Sequence, residues 1–271
     1  MDPFFYLVIV AGAIGGASTG LLGVYIVGMR IPFIGTCISH AAMAGTVFAS
    51  LVGLNPTTGA VAASVLTSIP LAANRPHKSR LNTNVGLAIL FSLMLGLTFL
   101  GIGLVQDSRS EILGLLWGSI LFVQRDSVVL IAAMSVLLAV FTIVFNKELK
   151  LLMFSRSIAA ATGMHEGLVY CAFLVVCGLI LAVNLKVIGG LMIFSLITNP
   201  AAAAYQVCRG HKSVVIVSTL LGALSAVAGF LFSFYLGLPT GACIVIVSTV
   251  IFALSVLCRL LYNSKSSFYL G

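Results

Sequence analysis

Nine long apolar stretches fill most of this chain, and none of them contains an aspartate or a glutamate. They lie near residues 4–29, 33–53, 57–74, 85–105, 127–145, 167–184, 187–207, 214–236 and 241–261. A helix needs about 20 apolar residues to cross the hydrocarbon of a bilayer. The expected fold class is therefore an all-α membrane protein, a polytopic bundle of about nine transmembrane helices (eight or nine). A shorter apolar piece, Ile112 to Val123, lies between the fourth and fifth stretches and is bounded by charged and polar residues. It is too short to span, and reads as one short interfacial or re-entrant helix with Trp117 as an interface anchor.

Charge supports the same class. Only 7% of the residues are charged, against about 25% in a soluble domain. That excludes an ordinary cytosolic enzyme, a nucleic-acid binder and a disordered segment. The formal charge of +8 is a matter of topology, because cytoplasmic loops of membrane proteins collect Lys and Arg. With the N-terminus outside, eleven of the fourteen basic residues fall in inner segments, and Arg109, Arg125 and Lys186 fall outside. The expected topology is nine crossings, N-terminus outside and C-terminus inside. The six cysteines (37, 171, 177, 208, 243, 258) are scattered with no Cys-x-x-Cys pair, and read as small packing residues. No cleavable signal peptide is expected, since the first apolar run follows Asp2 and is too long for one.

Polar groups are expensive in hydrocarbon, so each one inside a span needs a reason. His40 lies near the middle of the second stretch, with Thr36 and Cys37 one turn before it on the same face and Ser39 adjacent. A neutral imidazole beside a thiol and a hydroxyl can form a transient site for a borderline metal ion. Equally, such a histidine can fix packing by bonding a carbonyl on a neighbouring helix. The seventh stretch carries Asn199-Pro200. Pro200 frees a carbonyl near Leu196 and Asn199 adds an amide, which suits either a broken-helix substrate site or a tolerated kink. Ser39–Ala44 and Asn199–Ala204 share a faint pattern on antiparallel spans, as an inverted repeat would. Gly16-x-x-x-Gly20 signals close helix contact, which fits a multi-helix bundle and an intersubunit face.

No Gly-x-x-x-x-Gly-Lys-Ser/Thr loop occurs, so the chain lacks that route to ATP hydrolysis. The spans also lack the carboxylates that ion-coupled carriers use as relays. Energy must then come from elsewhere, or transport is passive. The longest inner connection runs from Lys147 to Glu166, with a short helix expected at Ser155–Ala161 and stopped by Gly163. It is either a platform for a soluble ATPase or a solvated loop.

Several motifs recur in a fixed order: Gly20-Leu21-Leu22-Gly23-Val24-Tyr25 before Arg30, and Gly35-x-x-x-Ser39-His40-Ala41-x-x-x-Gly45. Then come Leu113-Gly114-Leu115-Leu116-Trp117-Gly118, Ile158-Ala159-x-x-x-Gly163, Lys186-Val187-Ile188-Gly189-Gly190, Asn199-Pro200-Ala201-Ala202 and Pro239-Thr240-Gly241-Ala242. In this order and spacing they resemble the permease subunit of ABC importers for divalent metals, the zinc, manganese and iron group (ABC-3 type). The resemblance implies a single transmembrane permease domain over 1–271 in a bacterial cytoplasmic (inner) membrane. It implies a second permease subunit (a homodimer, or a heterodimer), two cytoplasmic ATP-binding subunits and an external metal-binding solute-binding protein. Lipid is the other partner, and nucleic acid is not one. Ser155, Ile158, Ala159 and Gly163 would form the ATPase coupling segment. His40, with Thr36, Cys37, Ser39 and Asn199, would lie on the metal pathway, and Pro200 would break the helix. No cofactor is held permanently; zinc, manganese or iron is cargo, and the partners hydrolyse ATP. The family's motif commonly has Asp where Thr36 stands, so this pathway lacks a hard, charged ligand. The alternatives are a permease for a metal chelate, siderophore or corrinoid, and a stand-alone channel or secondary carrier.

Overall fold

The computed structural model describes residues 3–73, 83–104, 125–190 and 193–268. They form eleven α-helices and, among the described residues, no strand. In chain order these are α1 (Pro3–Gly28), α2 (Pro32–Leu51), α3 (Pro56–Ala73), α4 (Thr83–Leu104), α5 (Arg125–Val144) and α6 (Asn146–Phe154). They continue with α7 (Arg156–Ala161), α8 (Glu166–Ile188), α9 (Ile193–Val207), α10 (His211–Leu236) and α11 (Thr240–Phe268). Pro32 and Pro56 open their helices where a missing N–H costs nothing. The Asn55 side chain accepts the Thr57 N–H at 2.9 Å beside the start of α3. The short apolar piece at Ile112–Val123, with Trp117, lies outside the described residues.

Among the described residues, seven helices are long and apolar enough to cross a membrane: α1, α2, α4, α5, α8, α10 and α11. The count of nine is not reached by that measure, because two of the expected crossings are shorter. Pro56–Ala72 of α3 falls below the length. Helix α9 has 15 residues, roughly 22 Å at 1.5 Å per residue. The seventh apolar stretch is divided: α8 continues to Ile188, and the helix ends at Gly189, whose φ of 88° is open to glycine and strained for other residues. The break expected at Pro200 is not there. Helix α9 runs through Pro200 without interruption. Tight neighbours tolerate the lost hydrogen bond, since Leu196, Ile197, Pro200, Ala201 and Ala204 are all buried.

Carboxylates avoid the helix interiors. Asp126 lies in the first turn of α5 and Glu166 opens α8, where negative charge complements the positive end of the helix dipole.

Small residues bring the helices together. On α1 a Cβ at Gly16 would strike the Gly222 carbonyl of α10, one at Gly20 would strike the Ser218 carbonyl, and one at Gly23 would fall on the Ile197 carbonyl of α9. The Ser218 hydroxyl donates to the Gly20 carbonyl at 2.7 Å, closing the same seam. The Gly16-x-x-x-Gly20 face is therefore buried within the chain, as packing in a helix bundle requires, and it is not left for contact between subunits. On α2, Gly45 meets Gly59 of α3 in the same way. Helix α8 is tied to two neighbours through polar atoms: Ser68 of α3 donates to the Leu174 carbonyl at 3.0 Å, and Asn184 donates to Ser18 of α1 at 3.2 Å.

One end of the bundle gathers the C-terminal ends of α1 and α9 with α6. There Gly28 lies against Met153 and Tyr205, and the Tyr205 hydroxyl donates to the Val24 carbonyl at 2.9 Å. Arg30, Lys147, Lys150, Arg156, Arg209, Lys212 and Arg259 sit in the segments at this end, which we call the basic end. At the other end Phe5 of α1 packs on Phe230 and Phe234 of α10.

The seam on α1 has no space for a methyl group at Gly23, whereas the position of Gly12 is open. Gly23→Ala is expected to cost about 1–3 kcal/mol through overpacking and to reduce monodisperse protein severalfold in detergent size-exclusion profiles. Gly12→Ala should leave the profile unchanged, and equal behaviour of the two variants would refute the seam.

Candidate functional site

The second helix carries the candidate metal pathway, and its faces are set by what surrounds it. Gly45 and Ala42 turn toward the small residues of α3, which leaves the face of Cys37 and His40 for α4. The Cys37 thiol donates to the Leu87 carbonyl of α4 at 3.1 Å. One turn on, the His40 ring lies 4.7 Å from the ring of Phe91. His40 is only 4% exposed, and its Nδ1 has no hydrogen-bond partner among the described residues. Thr36 is half-buried one turn before it. Ser39 points elsewhere and donates to the Gly35 carbonyl at 2.8 Å.

Asn199 does not join this group. Its amide nitrogen donates to Ser248 and Thr249 of α11, each at 3.1 Å, and its oxygen accepts from Thr198 at 3.4 Å. Both ends of the side chain are committed away from α2. Among the described residues no group of three or more His, Cys, Asp or Glu side chains is placed to hold a metal ion. The α2 face offers one uncommitted imidazole nitrogen, a half-buried hydroxyl and a thiol already donating to a carbonyl. Such a set can give one good coordination bond to a borderline ion. It cannot form a closed shell of the kind that holds a structural metal.

One buried polar site went unsingled in the sequence. Asn184, 1% exposed, sits late in α8 and donates to Ser18 and to the Ile180 carbonyl, while Ser18 donates to the Gly15 carbonyl at 2.9 Å. Its oxygen has no hydrogen-bond partner among the described residues and faces Gly15. The available signal was an amide in an otherwise apolar run, and the partner helix could not be read from it.

The candidate coupling segment contains a well-formed short helix. Ser155 caps α7, its hydroxyl oxygen accepting the Ile158 N–H at 3.4 Å, and Gly163 turns the chain out of the helix with φ 80°. Ala159 is buried, while Ile158, Ala160 and Ala161 are exposed. Arg156 fastens this six-residue helix to α8. Its guanidinium donates to Glu166 Oε2 from Nη2 at 3.0 Å and from Nε at 3.3 Å, and lies 4.0 Å over the Tyr170 ring. A cavity of about 380 Å³ opens beside it, lined by Arg156 and Tyr170 at one side and by Ile34, Leu87 and Leu90 at the other. Leu87 is the residue whose carbonyl takes the Cys37 thiol. The cavity thus runs from Arg156 to the residue of α4 that holds Cys37.

The pattern of the ABC 3 transport family matches residues 1–259. The manganese transport system membrane protein MntC of Listeria innocua serovar 6a is 24% identical over 242 residues, 89% of this chain and 86% of that protein. The chelated iron transport system membrane protein YfeD of Yersinia pestis is 25% identical over 266 residues, 96% of this chain and 86% of the relative. PsaBC from Streptococcus pneumoniae, solved in complex with Fab, has a similar fold, with a TM-score of 0.84 at 23% identity over 94% of this chain and 91% of that one. With its helical bundle matched nearly from end to end, the chain belongs to the ABC 3 transport family.

Proposed function

We propose that this chain is the membrane-spanning permease subunit of an ATP-driven importer of divalent transition-metal ions. Manganese or zinc is the first assignment and iron the third. The observation that carries this reading is the family match over residues 1–259, together with a relative named for manganese transport along most of its length. The permease works in a dimer, with two ATP-binding subunits at the basic end and a metal-binding protein at the opposite end. The basic end faces the cytoplasm of a bacterial inner membrane, which puts the N-terminus outside and the C-terminus inside. The whole chain acts as one permease domain, performs no covalent chemistry and holds no resident cofactor.

In this reading the ion enters from the binding protein and passes the α2 face at His40. Thr36 provides a neutral hydroxyl where the family's usual motif has a carboxylate, so the ion meets no permanent counter-charge there. Weak coordination favours passage over retention, and selection is left to the external protein. Asn199 serves the α9–α11 contact through Ser248 and Thr249, and its pathway role is limited to holding α9. Nucleotide-driven movement of the partners reaches the bundle through the exposed face of α7. Arg156 passes it to α8 through Glu166 and Tyr170, beside the cavity that reaches Leu87.

YfeD, named for chelated iron, favours a second reading in which the cargo is a small chelate. Uptake of an intact labelled chelate, with no uptake of the bare ion, would select it.

His40→Ala should abolish accumulation of manganese and zinc by elemental analysis of cells expressing the complete transporter, while the amount of assembled complex stays normal. Normal uptake by that variant would remove His40 from the pathway. Thr36→Asp, which adds a carboxylate within reach of the imidazole, should tighten manganese retention about tenfold or more in the purified permease, and unchanged retention would count against the site.

Arg156→Ala should separate ATP hydrolysis from transport. In proteoliposomes, metal uptake per ATP hydrolysed is expected to fall about tenfold, since Glu166 loses its forked partner and α7 its anchor. Arg156→Lys should recover only part of the ratio, because an ammonium lacks the planar fork. An unchanged ratio in Arg156→Ala would exclude this route of coupling.

A further inference from the structure

A second cavity, of about 680 Å³, lies at the basic end between the last turn of α9 and the late turns of α11. Its lining includes Tyr205, Gln206, Arg209, Cys258, Arg259 and Tyr262, and contains no carboxylate. Neither the coupling segment nor the His40 face touches it.

The two arginines are differently placed. Arg259 donates from Nη1 to the Gln206 side-chain oxygen, which holds its guanidinium at the cavity. Arg209 is exposed and makes no hydrogen bond or ion pair with the described residues. Tyr205 is fixed by its bond to the Val24 carbonyl, so one wall is rigid. Tyr262 is 65% exposed at the rim. Two guanidinium groups without a neutralising carboxylate suit an oxyanion, and the planar fork suits phosphate in particular. The volume lies within the range of small-molecule sites.

What lies next to the cavity selects the source of that phosphate. Leu254, Leu257 and Leu261 recur at helical spacing on the flank of α11, and each is more than half exposed. In a bilayer this stripe faces acyl chains. A headgroup in the cavity would therefore sit at the top of chains already lying along α11. Tyr262 stands at the level where aromatic side chains meet headgroups, and basic pockets between transmembrane helices on the positive side bind anionic headgroups.

We propose that this cavity is a binding site for the phosphate headgroup of an anionic phospholipid, held by Arg209 and Arg259 with its acyl chains along α11. The site anchors the α9–α11 pair at the membrane surface, and it does not depend on which ion is transported.

Cys258 lines the cavity and is exposed, so it reports occupancy. The test uses the full transporter complex in nanodiscs of phosphatidylcholine or of phosphatidylglycerol, with maleimide labelling of Cys258 followed by peptide mass spectrometry. Labelling is expected to be about tenfold slower in phosphatidylglycerol, as two basic contacts near the membrane surface allow. Native mass spectrometry should show phosphatidylglycerol retained in preference to phosphatidylcholine after partial delipidation. In the double variant Arg209→Gln, Arg259→Gln both differences should disappear, with the thermal midpoint in phosphatidylcholine discs unchanged to show that it folds. Equal labelling of the wild type in the two lipids overturns the proposal without recourse to any variant. Strong and equal protection in both lipids would mean that a partner protein fills the cavity, and overturns it too. Inorganic phosphate protecting Cys258 in phosphatidylcholine discs as well as phosphatidylglycerol does would assign the site to free phosphate.

Discussion

The backbone contact of α1 with α9 and α10 is the constraint on which the rest of the bundle depends. Lipid tails are as apolar as leucine, so burying leucine between helices gains little in a membrane. What remains is close packing, and its closest points are Gly16 on Gly222, Gly20 on Ser218 and Gly23 on Ile197. These contacts make α1, α9 and α10 one tightly joined group, extended to α8 through Asn184 and Ser18. Helices α4 and α5 are different. Only 17% of the spanning windows of α4 and α5 is buried within the chain, against 72% for α2 and α8. His40 and Cys37 lie on the boundary, on a well-packed helix but facing the thinly packed α4.

Polar atoms inside the spans follow a strict economy. Ser39, Thr46, Thr98 and Ser225 each return a hydroxyl hydrogen to a carbonyl one turn back, which satisfies them without an interhelical partner. Against that background the exceptions stand out. Away from the ends of the crossing helices, His40 Nδ1 and Asn184 Oδ1 are buried without a partner among the described residues, as is His211 Nε2 at the first residue of α10. An unmet polar atom is costly in hydrocarbon. For Asn184 the cost is offset by the two bonds its nitrogen makes. For His40 no bond from Nδ1 to another helix offsets the cost among the described residues, and that is the physical case for a passing ligand at this histidine.

Much of the fold was legible because apolar length and charge are local properties. The helices appear where the apolar stretches stand, and the Ser155–Ala161 helix with its glycine stop could be read from its cap and its turn residue. The limits came where the outcome depends on a neighbour. Pro200 carries a strong local signal for a break, yet α9 passes through it because buried contacts surround that turn. Gly189 carries a weaker signal and makes the actual break. Gly16 and Gly20 announced close packing without naming α10 as the partner. Asn199 looked like a companion of His40 because both were polar groups in spans, and only the position of Ser248 and Thr249 turns it toward α11.

In the proposed transporter the same distinction bears on how movement would reach the ion. A platform helix must be exposed to its partner and yet fixed to the bundle, two demands that conflict in six residues. Helix α7 meets both by division of labour along its length. Ile158, Ala160 and Ala161 remain exposed, while Ala159 is buried and Arg156 reaches back to Glu166 and Tyr170. The anchor is an arginine fork on a carboxylate in the first turn of α8. Fork and stacking together fix the orientation of Arg156 between α7 and α8. Helix α8 in turn meets α3 at Ser68 and α1 at Ser18, both in the well-packed half. On the proposed route, movement entering α8 passes to α3 and α1 through those two contacts.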